Sequence, residues 1–274
     1  MGKISDALER ASKENIINLE DRPTEKLKRW VPEDPETALA NDICSINRCN
    51  EKLVVLSAPG SSDAEYFKLL RGQILYPRDR KRPKTILVTS TFPSEGKTFV
   101  SANLAASIAL SIDESVLLID CDLRMPKLHE IFNYPNSAGL HEYLIGKKSL
   151  QELIIRTDME KLSLLTAGSV PINPSELLSS TAMRIFIKEV RERYQDRLIV
   201  IDSAPSQITA ETRVLAESVD GIIFVVMAQG SPREEIQKAI YHIGKDRILG
   251  IVFNGFNPSR RSYHKYHDKY YNGK

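Results

Sequence analysis

From residue 51 onward the chain alternates between short apolar runs rich in β-branched residues and longer stretches whose apolar positions recur at helical spacing. The runs are 85–89, 116–120, 162–166, 198–202, 221–227 and 248–253, which predict six strands. Between them, 98–110, 174–194, 211–218 and 232–241 predict crossover helices. The strand runs are apolar throughout and do not alternate, so both their faces must be buried, as in a mostly parallel sheet between helix layers. In such α/β sheets ligands sit at the carboxyl ends of the strands. Before residue 51 the rhythm differs. Ser5 can cap a short helix with Ile4, Leu8 and Ala11 on one stripe, a candidate docking helix, and 17–49 lapses into a linker of Pro, Asp, Glu and Arg.

The first strand is followed by Thr89-Ser90-Thr91-Phe92-Pro93-Ser94-Glu95-Gly96-Lys97-Thr98, which opens a helix. This is the setting of a phosphate-binding Walker A loop, although Thr91 stands where its first glycine is usual. Backbone N–H groups at the helix start point at phosphates, Lys97 brings charge to the β and γ oxygens, and the Thr98 hydroxyl suits magnesium. The cofactor-binding segment for ATP is therefore Thr91, Pro93, Ser94, Glu95, Gly96, Lys97, Thr98 and Phe99. A plain structural turn is the competing reading.

Two strands end in carboxylates: 116–120 runs into Asp120-Cys121-Asp122-Leu123-Arg124, and 198–201 into Asp202-Ser203-Ala204-Pro205. Taken singly, an Asp after a strand is often a turn or helix cap. Three on the same edge as a phosphate loop suit phosphoryl transfer, which needs oxygen ligands for magnesium and a group to orient the attacking hydroxyl.

Composition changes the picture further. With 274 residues, 42% of them hydrophobic, the chain can bury one large α/β domain with extensions. The longest apolar run, 222–228, is too short to cross a bilayer, and 1–20 is too charged for a signal peptide, so a cytoplasmic protein is expected. Cys44, Cys49 and Cys121 cannot pair completely and have no zinc-ligand spacing, which leaves free thiols. A formal charge of +2 gives no argument for nucleic acid. The end of the chain nevertheless carries Tyr263, Tyr266, Tyr270 and Tyr271 among lysines, arginines and histidines without apolar periodicity. Such a tail can serve as substrate or as a sticky interaction segment.

With these motifs the sequence resembles the bacterial tyrosine kinases of capsule and exopolysaccharide loci. The likeness rests on Ser90 to Thr98, on Leu118-Ile119-Asp120-Cys121-Asp122-Leu123-Arg124 with Pro126, His129 and Phe132, on Ile199-Val200-Ile201-Asp202-Ser203-Ala204-Pro205, on Asn173-Pro174-Ser175-Glu176-Leu177-Leu178, and on the tail tyrosines. The amino-terminal 1–14 looks like the subgroup encoded beside exosortase systems. The resemblance implies a P-loop NTPase fold in three parts: a helix and linker (1–50), a P-loop kinase domain (51–258) and a flexible tyrosine-rich tail (259–274). It implies an ATP- and Mg2+-dependent tyrosine autokinase acting on the tail in trans, which regulates polysaccharide polymerisation and export.

Carried onto this chain, the family roles put Lys97 on the phosphates, Thr98, Asp122 and Asp202 around the metal, and Asp120 as base for the incoming tyrosine. Arg124 belongs to the same motif. The family's ring-forming Glu-x-x-Arg-x-x-Arg helix corresponds to Glu65, Lys68 and Arg71, with Lys in place of the first Arg, which loses the bidentate fork towards a carboxylate. Asn254 stands where related proteins read adenine, or is a turn former. The implied partners are further copies of this chain and a separate transmembrane activator, the polysaccharide co-polymerase, with membrane contact only through it. A ParA/MinD-like ATPase and a non-catalytic ATP-binding regulator remain alternatives. The former carries an extra lysine at the position of Phe92.

Overall fold

The computed structural model describes residues 50–206 and 210–256. The amino-terminal helix and linker, Cys44, Cys49 and the tail with Tyr263, Tyr266, Tyr270 and Tyr271 lie outside the described residues.

Helices α1 (Val54–Ser57) and α2 (Ser62–Leu75) lead into strand β1 (Thr85–Ser90), helix α3 (Lys97–Ala109) and strand β2 (Ser115–Asp120). Short helices α4 (Leu128–Phe132), α5 (Leu140–Leu144) and α6 (Leu150–Leu153) come before β3 (Ile155–Arg156) and β4 (Leu162–Leu165). Then follow α7 (Pro174–Leu178), α8 (Thr181–Arg193), β5 (Arg197–Asp202), α9 (Ala210–Ser218), β6 (Gly221–Met227), α10 (Arg233–Ile243) and β7 (Ile248–Asn254). The strands form one sheet in the order β3-β4-β2-β5-β1-β6-β7. All neighbours are parallel except β3 and β4.

The six expected strands are all present, and five of them are buried on both faces as expected, whereas the edge strand β7 leaves Ile251 and Phe253 exposed. Leu87, Leu117, Ile119, Ile199, Ile201 and Phe224 pack under α5, α8, α9 and α10 on one face. Their sequence neighbours Ile86, Val88, Val116, Leu118, Val200 and Val225 pack under α2 and α3 on the other. Alternate side chains of a strand point to opposite faces, so a sheet covered on both sides requires apolar residues at every position.

Two local expectations are corrected. The helical stretch 174–194 is two helices, because Ser180 takes an extended backbone and its side chain accepts from the Met183 N–H at 3.2 Å, which starts α8 afresh. Pro174 does occupy the first turn of α7, but the Asn173 side chain makes no capping hydrogen bond there. The charged trio on α2 is also less free than its spacing implies. Lys68 pairs with Glu65 at 2.6 Å, and the Arg71 guanidinium donates to the Ser107 carbonyl at 2.6 Å, against α3 of its own chain.

The segment before α2 is held to the nucleotide-side helix by one buried amide. Asn103 on α3 accepts from Val55 N–H at 3.2 Å and donates to the carbonyls of Lys52 at 2.8 Å and Phe99 at 3.0 Å. Asn103→Ala leaves buried backbone groups unpaired and should cost about 2 kcal/mol. In urea unfolding this would lower the midpoint with an unchanged slope, and an unmoved midpoint would show that water replaces the amide without loss.

Candidate active site

The loop 90–98 leaves the end of β1 and turns into α3 through two residues of positive φ, Ser94 (65°) and Gly96 (93°). Gly96 is required twice over. Its conformation suits glycine, and a Cβ there would stand 2.0 Å from Asn254 Nδ2. Behind the loop the Glu95 side chain is buried and accepts from the N–H groups of Phe92 (2.7 Å) and Met227 (3.4 Å) and from the Ser231 hydroxyl. Asn254, at the end of β7, donates to the Glu95 carbonyl at 2.9 Å. Pro93 and Ser94 form the exposed crest of the loop, whereas Lys97 is buried.

Strand β5 lies between β1 and β2, and its register places Asp202 beside Asp120. Both carboxylates are fully buried. Asp120 Oδ1 accepts from the Asp122 N–H at 3.1 Å, and Oδ2 from the N–H groups of Lys127 (3.2 Å) and Leu128 (3.1 Å). Asp202 Oδ1 accepts from the Ser101 hydroxyl at 2.9 Å, while Oδ2 is buried without a hydrogen-bonding partner. Burial raises the pKa of the Asp202 carboxylate, and the Thr98 hydroxyl and the Lys97 charge oppose part of that rise. Asp122 is half-buried, and its Oδ1 accepts from the Met125 N–H at 3.1 Å.

Burial governs the protonation of this edge. It pushes Asp202 up to about 7 from an ordinary value of 3.8, raises Asp120 well above the usual carboxylate range with the Asp202 charge adding to the effect, and raises Asp122. It lowers Lys97, against the attraction of Asp202 and Asp122. A divalent cation placed here would relieve the crowding of negative charge. The unpartnered Asp202 oxygen beside a hydroxyl fits magnesium, which takes hard oxygen donors. Among the described residues no three His, Cys, Asp or Glu side chains converge closely enough to hold a metal by themselves. Magnesium commonly binds through one or two carboxylates together with substrate phosphates and water.

A family described as AAA domain matches residues 84–245. The chain is 30% identical to the tyrosine-protein kinase YwqD of Bacillus subtilis (strain 168) over 223 residues, which cover 81% of this chain and 93% of that protein. It is 33% identical to the putative tyrosine-protein kinase CapB of Staphylococcus aureus over 217 residues, 78% of this chain and 94% of the other. The chain belongs to the bacterial tyrosine-protein kinase family. Among solved structures, the kinase domain of the Escherichia coli tyrosine kinase ETK superposes with a TM-score of 0.68 at 30% identity, over 76% of this chain and 82% of that one.

Within the tyrosine-kinase frame, the structure brings Lys97, Thr98, Asp120, Asp122 and Asp202 to one sheet edge, as the motifs imply. Three expectations change in detail. Asp120 is sealed, and its oxygens hold the 122–128 turn, so an incoming hydroxyl does not reach it in this arrangement. One hydrogen of the Asn254 amide nitrogen goes to the Glu95 carbonyl, so the residue braces the loop in addition to any contact with adenine. The Phe99 ring packs edge-on against Phe67 with centroids 5.7 Å apart, so only its backbone belongs to the loop. Sequence reasoning did not single out Ser101, Glu211 or the Glu95 side chain's bracing. For Ser101 a signal existed, since it lies one helical turn after Lys97 and shares its face.

A raised carboxylate pKa in the fold means that the folded chain retains a proton which the unfolded chain has released. The contribution of Asp202 to stability is therefore full below about pH 4 and is lost as the pH rises towards about 7. In magnesium-free buffer the Tm of Asp202→Asn, relative to the parent, should rise steadily between about pH 4 and about pH 8. A difference that stays constant across this window would show that Asp202 is not desolvated.

Proposed function

We propose that this chain is an ATP- and Mg2+-dependent protein-tyrosine autokinase that phosphorylates Tyr263, Tyr266, Tyr270 and Tyr271 of a neighbouring copy, and so regulates capsule or exopolysaccharide polymerisation and export. The observation that carries the reading is the unpartnered, buried Asp202 oxygen between the Lys97 loop and Asp120, at the edge where a phosphate would lie. Family membership supports the choice of tyrosine as acceptor.

The residues divide the work as follows. The loop N–H groups from Ser94 to Thr98 and the Lys97 ammonium bind the phosphates and stabilise charge on the transferring group. Thr98, Asp202 and Asp122 hold magnesium, which when bound neutralises charge on the phosphate oxygens. The tyrosine oxygen bonds to the γ-phosphorus as ADP leaves, and its proton passes to water at the open side of the site, where Asp122 is half-exposed. Asp120 anchors the turn that carries Asp122. Phe92, where the ParA/MinD-like ATPases carry a lysine, favours transfer over their mode of hydrolysis.

Among the described residues no helix is long and apolar enough to cross a membrane. The reading places the chain in the cytoplasm at the inner face of the membrane, with the activator a separate membrane-spanning chain. Glu65, Lys68 and Arg71 are assigned to self-association of copies. Because Arg71 is already engaged within the chain, the exposed Glu65–Lys68 pair offers the greater part of the contact.

The test is complementation with labelled ATP. Lys97→Met should lose phosphotyrosine formation by about 100-fold or more, and a variant with all four tail tyrosines changed to Phe should accept none on its tail. Mixed together, the tail variant should label the Lys97→Met chain, because one supplies the site and the other the acceptor. A mixture that stays unlabelled while the parent labels itself would exclude transfer in trans, and labelling of Lys97→Met alone would remove the loop assignment.

A further inference from the structure

Glu211 is a carboxylate that the reading above leaves unused. It stands in the first turn of α9, and its side chain is 1% exposed. Its Oε1 accepts from Arg124 Nε at 3.2 Å and its Oε2 from the Ser175 hydroxyl at 3.0 Å. A terminal nitrogen of Arg124 donates to the same Ser175 oxygen at 2.5 Å, which closes a ring of three side chains. They come from three different segments, those following β2, β4 and β5.

The burial in this ring is one-sided. The Arg124 side chain is 43% exposed and needs no partner, since an exposed guanidinium is well solvated. Glu211 is different, because a carboxylate so buried is costly unless it is both paired and hydrogen-bonded. The arrangement is therefore explained by what it does to Arg124, which it fixes in one position. Arg124 lies two residues after Asp122, in a turn whose inner side is locked by the Asp122 N–H on Asp120 and the Met125 N–H on Asp122. The outer side of the same turn is tied down by Arg124.

We propose that Glu211 and Ser175 are positioning residues that clamp Arg124 and, through the 122–125 turn, hold the Asp122 carboxylate towards magnesium. The inference rests on the nucleotide and magnesium reading of this edge, and neither residue touches the reacting atoms. It links the metal side of the site to the segments after β4 and β5, so that a shift in either is felt at Asp122.

The experiment measures binding of a fluorescent ATP analogue to the full-length chain across a magnesium titration. Glu211→Gln keeps the shape of the side chain and removes its charge. It should leave magnesium-free binding unchanged and raise the magnesium concentration at half-saturation by about tenfold or more, the usual effect of losing an outer partner of a metal ligand. Ser175→Ala should move the midpoint in the same direction by less. The exchange Arg124→Glu with Glu211→Arg should recover part of the loss seen in either single variant. Equal weakening with and without magnesium would reduce the ring to general structural support, and an unmoved midpoint would overturn the clamp outright. So would a parent whose binding ignores magnesium. Should Glu211→Gln fail to fold, Ser175→Ala decides alone, with circular dichroism confirming its fold. Phosphotyrosine formation followed in parallel separates the two readings: magnesium-coupled binding without phosphotyrosine removes the kinase reading and leaves the clamp in place.

Discussion

The structure turns on the burial of two adjacent carboxylates, Asp120 and Asp202, at the ends of neighbouring parallel strands. Two like charges in a desolvated site are tolerated only where donors surround them or a proton or cation neutralises them. Here the two are treated differently. Asp120 is satisfied by three backbone N–H groups and becomes a structural anchor, whereas Asp202 keeps one oxygen unpartnered beside Thr98 and Lys97. The same burial that makes the pair of charges costly makes the edge receptive to a divalent cation carrying phosphates. Stability and function are thus opposed at one point of the molecule, and binding relieves the opposition.

A rigid cradle for phosphates requires that the loop be held from behind, so that its N–H groups remain free in front. The Glu95 side chain accepts two loop-facing N–H groups, and Asn254 takes the Glu95 carbonyl. These contacts join the loop to the ends of β6, the neighbour of β1, and of β7 at the edge of the sheet. On the metal side Asp120, Asp122 and Arg124 form a second braced turn. The site is therefore preorganised from two directions, and the charge of Lys97 is lodged between them.

The sequence by itself determined six of the seven strands, because a strand covered on both faces is apolar at most positions, and such runs can be read directly, whereas the two-residue β3 is too short to leave a pattern. It also determined the chemistry of the edge. The Gly-Lys-Thr at the start of a helix and the two Asp-ended strands place their groups by local geometry alone, since a strand end and a helix start are fixed by the residues beside them. The division of 174–194 into two helices was harder to read. Its apolar spacing continues across the break, and the decision lies in one serine that bonds Met183.

Only the tertiary structure decided which carboxylate does what. Asp120, Asp122 and Asp202 look alike in the sequence, but burial and hydrogen bonds depend on what the rest of the chain brings to them. The N–H groups that seal Asp120 come from 122–128, and the hydroxyl on Asp202 comes from a helix about a hundred residues earlier in the chain. The same holds for Glu211, which has no motif of its own, and for Ser175, whose motif does not announce its partner, since they meet Arg124 across 87 and 51 residues of sequence. Asn254 reads as an adenine contact or a turn former until β7 is placed beside β6 and its amide is seen to reach Glu95. Local sequence specifies backbone conformation and the groups available, whereas desolvation and long-range pairing exist only once the sheet order has been set.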